Sequence, residues 1–276
     1  MFSAQGSLVT NNMVYDVFFY NGELDVLRIH LNVMNDHVDR FIIVEATKTF
    51  TGKDKHLYFF QHERYVEKYW KKIDYFVINK WDDQALWDMA AASPNTKGAD
   101  HWKMEFYQKE FIQKAIKKLR DDDLCIIGDV DEIIDPTVEF RSETPVKAKL
   151  RVYAYYLNNL SDEQFWGTLM AQYKDIKGNC LNHMRSDPSL RSQGEPLGWH
   201  FTSIGGEQMV RRKLNDSYTE QSYNTPEVQS LLSERLQQRV DYLGRPFVFL
   251  EDESNWPMYL KQNREKYEHL LIPKIQ

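Results

Sequence analysis

Three acidic side chains stand together at the end of an apolar run in the segment LCIIGDVDEIIDP, residues 124–136. Asp129 and Asp131 are separated by one residue, and Glu132 follows directly. Two carboxylates at this spacing can turn toward one cation, and their oxygens suit Mg²⁺ or Mn²⁺ held jointly with substrate phosphates. Asp is also common in ordinary polar turns, where its side chain caps the backbone. The segment therefore predicts either a divalent metal site or a capped turn.

Alternating strand and helix patterns position these acids. Apolar runs at 15–19, 40–46, 74–79 and 124–129 are typical of strands buried in a parallel sheet, and helical spacing occurs at 22–34, 61–71 and 101–119. Beyond Pro136 we expect a strand at 149–160, helices at 208–214 and 228–240, and a final helix after Pro257. The pattern predicts an α/β fold with helices flanking the sheet. Because ligands bind beyond the carboxyl ends of parallel strands, the position of Asp129 fits a ligand site as well as it fits a simple turn.

Composition limits the classes of function. The chain has 276 residues, of which 42% are hydrophobic, and this is enough for a substantial core. Its net charge is only -6. The basic residues form no continuous stripe, so duplex nucleic acid is disfavoured as a partner. Cys125 and Cys180 indicate neither a disulfide framework nor a zinc cluster, and Cys125 is expected to be a buried free thiol.

The N-terminus shows no targeting or membrane signal. No run approaches the roughly 20 apolar residues that a bilayer crossing needs, and no basic region precedes an apolar core. Residues 1–12 are polar and aperiodic, and we expect them to be a leader or remnant outside the fold, with residues 13–276 as a single domain. The sequence favours a soluble, cytoplasmic protein, with a removed N-terminal anchor as the alternative.

Several longer segments resemble one known family. They are VYDVFFYNGELDVLRIHLN, FIIVEATKTFTGKDKHLYF, IIGDVDEI, YYLNN, GWHFTSIGGE and PMYLKQNREKYEHLL, in order from about Met13 to Leu271. Together they resemble glycosyltransferase family 17, which includes an N-acetylglucosaminyltransferase acting on glycoproteins. The resemblance implies a GT-A-type, Rossmann-like fold with a mostly parallel sheet. It also implies a nucleotide-sugar donor such as UDP-GlcNAc and inversion at the anomeric carbon.

The resemblance assigns roles around the acidic pair. Asp129 and Asp131 match the Asp-x-Asp pair that engages a divalent metal, Mn²⁺ or Mg²⁺, and the donor. His200 matches a histidine that could be a further metal ligand, although a histidine between Trp199 and Phe201 is also typical of a hydrogen-bonded core residue.

Other matched positions are expected to bind the donor. Glu45 ends the second strand, Thr49 and Lys53 follow in a loop, and helix capping or a solvated loop is their alternative. Gln108 is also a donor-side candidate. It precedes Lys109, where many relatives carry arginine; lysine keeps the charge but loses the bidentate fork.

An inverting transfer needs a base within reach of the acceptor hydroxyl. Glu207, after Gly205 and Gly206, is the first candidate, and Asp162 and Glu163 are the second. Glu207 is also a typical residue of a first helical turn, and the other two are typical turn acids.

These observations predict a metal-dependent inverting glycosyltransferase that moves a sugar from a nucleotide-sugar donor to an acceptor hydroxyl. The acceptor is left open among a glycan, a surface polysaccharide and a modified nucleobase. The alternatives are a metal-dependent nucleotidyltransferase or phosphohydrolase, which could use the same carboxylates, and a non-catalytic carbohydrate-binding protein.

Overall fold

A computed structural model of the chain describes residues 12–92, 102–139, 144–216 and 223–273. The strands are β1 (Val14–Phe19), β2 (Arg40–Ala46), β3 (Ile73–Ile78), β4 (Leu124–Asp129), β5 (Glu132–Ile134), β6 (Val146–Ala154), β7 (Asn159–Gln172), β8 (Gly198–Thr202) and β9 (Phe249–Glu251). The helices are α1 (Leu24–Met34), α2 (Tyr58–Val66), α3 (Gln84–Ala92), α4 (Lys103–Glu110), α5 (Ile112–Ala115), α6 (Tyr173–Ile176), α7 (Leu181–Ser186), α8 (Gly206–Asp216), α9 (Pro226–Gln237) and α10 (Met258–Gln262). Short 3-10 helices span Glu67–Lys72, Pro188–Leu190 and Arg264–Leu270.

The strands form one sheet in the order β3-β2-β1-β4-β7-β6-β8-β5, with β9 paired to β7. The first four in this order are parallel, and β6 and β8 are parallel to each other. Strands β5 and β7 run against the rest. Only Val130 and Asp131 separate β4 from β5, yet three strands lie between them in the sheet, so the sheet curls back on itself.

Helices cover both faces of the sheet, because successive strand residues point to opposite sides. In β1, Phe18 packs into a core with α1 and α10, whereas Val17 and Phe19 pack into a second core with α4 and α5. A third cluster joins α8 and α9 to Tyr155 and Tyr242. The predicted α/β class and the mostly parallel sheet with flanking helices are confirmed.

The helix predictions differ from the structure mainly at their ends. The helix predicted at 61–71 is α2 followed by a 3-10 turn, and the one predicted at 101–119 is divided at Phe111 into α4 and α5 and ends at Ala115. Residue 101 and residues 1–11 of the predicted leader lie outside the described residues. The extent of the single domain stays a prediction. Cys125 is buried and free, as predicted.

The single strand predicted at 149–160 is wrong. Strand β6 ends at Ala154, and the chain reverses at Tyr155, whose φ of 71° takes it out of the extended region. Asn159 then begins the antiparallel strand β7, which the sequence pattern missed. The reversal is buried beneath the C-terminal segment, where the Leu157 N–H donates to the Leu270 carbonyl at 2.9 Å. A buried turn needs apolar residues, and these imitate a strand in sequence.

None of the helices in the described ranges has the length and apolar content that a bilayer crossing requires.

Candidate active site

A cleft of about 350 Å³ opens where β1, β4, β6 and β8 end. Strand β7 runs the other way, so its early residues reach the same edge of the sheet. Charged, polar and aromatic side chains line this cleft, among them Asn21, Glu23, Lys109, Asp129, Asp131, Tyr155, Glu163, Phe165, His200, Lys213, Asp241, Tyr242, Arg245 and Phe249. The predicted position of a site beyond the strand ends agrees with this geometry.

Asp129 is the last residue of β4, and two cations flank its carboxylate. Lys109 Nζ of α4 lies 3.9 Å from one oxygen, and Arg185 Nη1 of α7 lies 3.5 Å from the other. Burial opposes ionisation, but these cations hold the pKa of Asp129 well below its ordinary value. Asp129 is therefore a permanent anion in the physiological range.

Asp131 faces His200 of β8, with 3.5 Å between Oδ2 and Nε2. The main chain fixes this approach, because the Phe201 N–H donates to the Asp131 carbonyl at 2.8 Å. The His200 ring stacks on Phe165 with centroids 4.0 Å apart. Burial opposes the charge of Asp131, and His200 lowers its pKa below the ordinary value.

A buried ion pair holds the turn between the two aspartates from behind. His30 of α1 contacts the Val130 carbonyl oxygen through Nδ1 and the Asp16 carboxylate through Nε2, both at 2.8 Å. Both partners are acceptors, so both ring nitrogens donate and the imidazole is positively charged. Burial opposes this charge, but Asp16 raises the pKa of His30. Asp16 and His30 are 2% and 1% exposed, so the pair ties the turn to the core.

The donor atoms of the acidic pair suit a divalent cation that shares its coordination with a ligand. Within the described ranges, no group of three or more His, Cys, Asp or Glu side chains is arranged to hold a metal on its own. Asp129 Oδ1 and His200 Nδ1 are buried without a hydrogen-bond partner. Mg²⁺ is commonly bound by one or two carboxylates together with substrate phosphates, and Asp129 and Asp131 fit that mode.

Glu45 lies outside the cleft, and the protein itself occupies its carboxylate. It is fully buried and accepts hydrogen bonds from Tyr58 N, Phe59 N, Lys55 Nζ and Tyr75 Oη at 2.7 to 3.0 Å. Two of these donors are the first N–H groups of α2, which have no partner inside the helix. The geometry favours the helix-capping alternative for Glu45.

Thr49, Lys53 and Gln108 belong to one loop support beside the cleft. The Gln108 amide donates to the Lys48 and Thr49 carbonyls, and Thr49 Oγ1 accepts from Lys53 N at 3.0 Å. Thr49 and Gln108 line a small recess that shares Phe19, Asn21 and Phe50 with the cleft. The Lys53 ammonium is exposed and donates to the Asn215 carbonyl, which directs it toward α8.

Of the three predicted base candidates, Glu163 is the one that lines the cleft. Its side chain is 26% exposed and lies 3.7 Å from Arg245. Glu207 is outside it, in an ion pair with Arg211 at 2.6 Å that lowers its pKa. Asp162 is exposed, and its carboxylate accepts the Val248 N–H.

Several residues in or beside the cleft were not predicted from the sequence. Arg185 pairs with Asp129 and, at 2.9 Å, with the buried Glu132. Its segment, HMRSDP, carries no periodic or motif signal, whereas Glu132 was visible as the third acid of the opening segment. Asp241 and Arg245 lie more than 100 residues after the acidic pair, and the pairing of β9 with β7 brings their segment to the cleft.

A second cavity of about 440 Å³ adjoins the cleft. It shares Glu105, Lys109, Asp129, Glu132 and Phe165 with the cleft and adds Trp166 and Arg185. Asp129 is therefore reachable from two sides.

The fold and the cleft define an α/β protein with a charged ligand site beyond the ends of its strands. The sequence model of glycosyltransferase family 17 matches residues 5–209, which is more than half of the chain, and the chain belongs to that family. It is therefore a glycosyltransferase, an enzyme that needs a sugar donor and an acceptor. A search of curated proteins found no match. The family match ends inside α8, so Lys213, Asp241, Tyr242, Arg245 and Phe249 line the cleft from beyond it.

Proposed function

We propose that this glycosyltransferase is a metal-dependent, inverting enzyme of the GT-A type that uses UDP-GlcNAc or a related nucleotide sugar. The observation that carries the proposal is the position of Asp129 and Asp131 at the end of β4, inside a cleft that also presents Lys109 and Lys213. Carboxylates beside lysines can hold a metal-bound diphosphate, whereas a neutral sugar alone needs no such charge.

The protein groups have separate roles toward the donor. Asp129 and Asp131 would hold Mn²⁺ or Mg²⁺, with His200 beside them. When bound, the metal neutralises charge that accumulates on the diphosphate as the glycosidic bond breaks. Lys109 and Arg185, which pair with Asp129, would also approach the donor phosphates.

Glu163 is the general base of this proposal in place of Glu207. Its carboxylate takes the proton from the acceptor hydroxyl while that oxygen bonds to the anomeric carbon. The nucleoside diphosphate leaves with the electron pair of the broken bond. This single displacement needs no covalent enzyme intermediate, so an α-linked donor gives a β-linked product.

The test is a screen of nucleotide sugars for thermal stabilisation with and without Mn²⁺, followed by analysis of the products. The proposal expects metal-dependent stabilisation by one nucleotide sugar and release of an intact nucleoside diphosphate. Release of a nucleoside monophosphate or pyrophosphate would instead identify a phosphohydrolase or nucleotidyltransferase. Glycan binding that requires neither donor nor metal would identify a carbohydrate-binding protein, and an α-linked product would exclude inversion.

A further inference from the structure

The segment 241–249 builds one wall of the cleft from outside the family match. Asp241, Tyr242, Arg245 and Phe249 all line the cleft, and all follow residue 209, where the match ends. The charged pair that engages the donor in the proposed function lies inside the match. The acidic pair and this wall therefore come from parts of the chain that are far apart in sequence.

Hydrogen bonds to a buried aspartate connect the residues of this wall. Asp241 is 1% exposed and accepts hydrogen bonds from Tyr155 Oη at 2.9 Å and from Arg245 Nε and Nη2 at 2.9 and 2.7 Å. The two bonds from Arg245 are the planar fork that guanidinium groups offer to carboxylates. Tyr155 is the residue that reverses the chain after β6, so the wall is fastened to the sheet at the cleft edge.

The remaining nitrogen of Arg245 faces the candidate base. Nη1 lies 3.7 Å from Glu163 Oε1, and the side chain is 42% exposed. Strand pairing fixes the approach, because Asp162 and Val248 exchange hydrogen bonds through Asp162 N and Asp162 Oδ1 at 3.1 and 2.9 Å. The fork to Asp241 thus leaves one guanidinium edge directed at Glu163 and open to a ligand.

We infer that this wall is the acceptor subsite and that Arg245 is its specificity-determining and positioning residue. Arg245 Nη1 donates to an acceptor hydroxyl and fixes Glu163, while the half-buried Phe249 offers an apolar face to a sugar ring. The wall carries one cation, Arg245, and two carboxylates, those of Asp241 and Glu163, so its net charge is negative. The acceptor is therefore a neutral sugar and not an acidic one. This inference rests on the proposed transfer reaction and on Glu163 as its base.

The experiment compares Arg245→Gln with Arg264→Gln, a matched control. Arg264 has a similar exposure of 39% and also pairs with a carboxylate, that of Glu253, away from the cleft. The probes are UDP-GlcNAc, or whichever nucleotide sugar the wild-type enzyme turns over, and a panel of methyl glycosides paired with their uronic acids. Arg245→Gln is expected to lower kcat/KM for the neutral acceptor about 10- to 100-fold, the effect of one lost charged hydrogen bond. Donor affinity should stay within about twofold in both variants.

Arg245→Lys keeps the charge beside Asp241 without the fork, and it covers the case in which Arg245→Gln is too unstable to assay. The inference expects kcat/KM for the neutral acceptor to fall in Arg245→Lys as well, while donor affinity stays unchanged. Equal losses of donor affinity and acceptor kcat/KM, no loss at all, or a wild-type preference for uronic acids would each overturn it. Failure of the proposed function looks different, because the wild-type enzyme would then neither bind nor cleave a nucleotide sugar.

Discussion

Each side of the cleft is stabilised by an ion pair that contains a buried aspartate, and the two ion pairs differ in their cation. On the proposed donor side, Asp16 pairs with His30, which contacts the Val130 carbonyl between Asp129 and Asp131. On the proposed acceptor side, Asp241 pairs with Arg245. A histidine can lose its charge near neutral pH, whereas an arginine cannot. The Asp16–His30 ion pair is therefore sensitive to pH near neutrality, and the Asp241–Arg245 ion pair is not.

The two sides also differ in their position relative to the family match. The donor-side pair and the acidic turn lie within the residues matched by the family model, and the acceptor wall lies beyond them.

The sharpest separation of the two sides comes from Glu163→Gln. Removing the base should lower turnover roughly 10²- to 10⁴-fold while leaving donor affinity intact, because the base acts on the acceptor alone. Glu207→Gln is the control, since Glu207 lies outside the cleft in a surface ion pair. Initial rates with saturating donor measure both. A collapse of the rate in Glu207→Gln with a normal rate in Glu163→Gln would restore Glu207 as the base.

The Asp16–His30 ion pair should contribute strongly to the free energy of unfolding. His30→Gln leaves the Asp16 carboxylate buried without its charged partner, a loss of about 3–5 kcal/mol in the free energy of unfolding. Chemical denaturation measures it, with His37→Gln at an exposed position close by as the control. The double variant Asp16→Asn/His30→Gln should recover part of the loss, since neither partner then remains as a lone charge. Strictly additive losses would show that the pair is not coupled.

The pH dependence of stability should distinguish the Asp16–His30 ion pair from the Asp241–Arg245 ion pair. Because the folded-state pKa of His30 is raised above 6.5, its contribution is complete below about pH 6.5 and is lost as the pH rises through the raised value. The pKa of Asp241 is lowered, so its contribution is lost only as the pH falls below the ordinary value of 3.8. Between pH 6 and 9 the wild-type protein should lose stability relative to Asp16→Asn/His30→Gln, by at most about 1.4 kcal/mol per pH unit. Parallel stability curves for the two proteins would argue against a charged His30.

The sequence predicted the parallel half of the fold well and the curled half poorly. Strands β1, β2 and β4 are buried along most of their length, so their apolar runs give their positions directly. The reversal at Tyr155 could not be seen, because a turn covered by other parts of the chain is apolar like a strand.

The candidate site follows the same division. Asp129 and Asp131 were predicted from their place after a strand, which depends only on local sequence. Arg185 and Arg245 reach the acidic pair and its cleft from segments that are distant in sequence, so no local pattern predicts them. The choice among Glu207, Asp162 and Glu163 likewise needed the geometry, since all three are ordinary acids in sequence and one of them lines the cleft.

The central claim is that Asp131 and Asp129 bind the donor through a divalent metal. Calorimetric titration of UDP-GlcNAc into the wild-type protein and Asp131→Asn, each with and without Mn²⁺, tests it most directly. We predict binding to the wild-type protein that depends on Mn²⁺, and a loss of about 100-fold or more in Asp131→Asn, since even changes beside metal ligands cost 10- to 100-fold. The thermal midpoint of the variant should show an intact fold. Unchanged donor affinity in Asp131→Asn with Mn²⁺ present would contradict the claim.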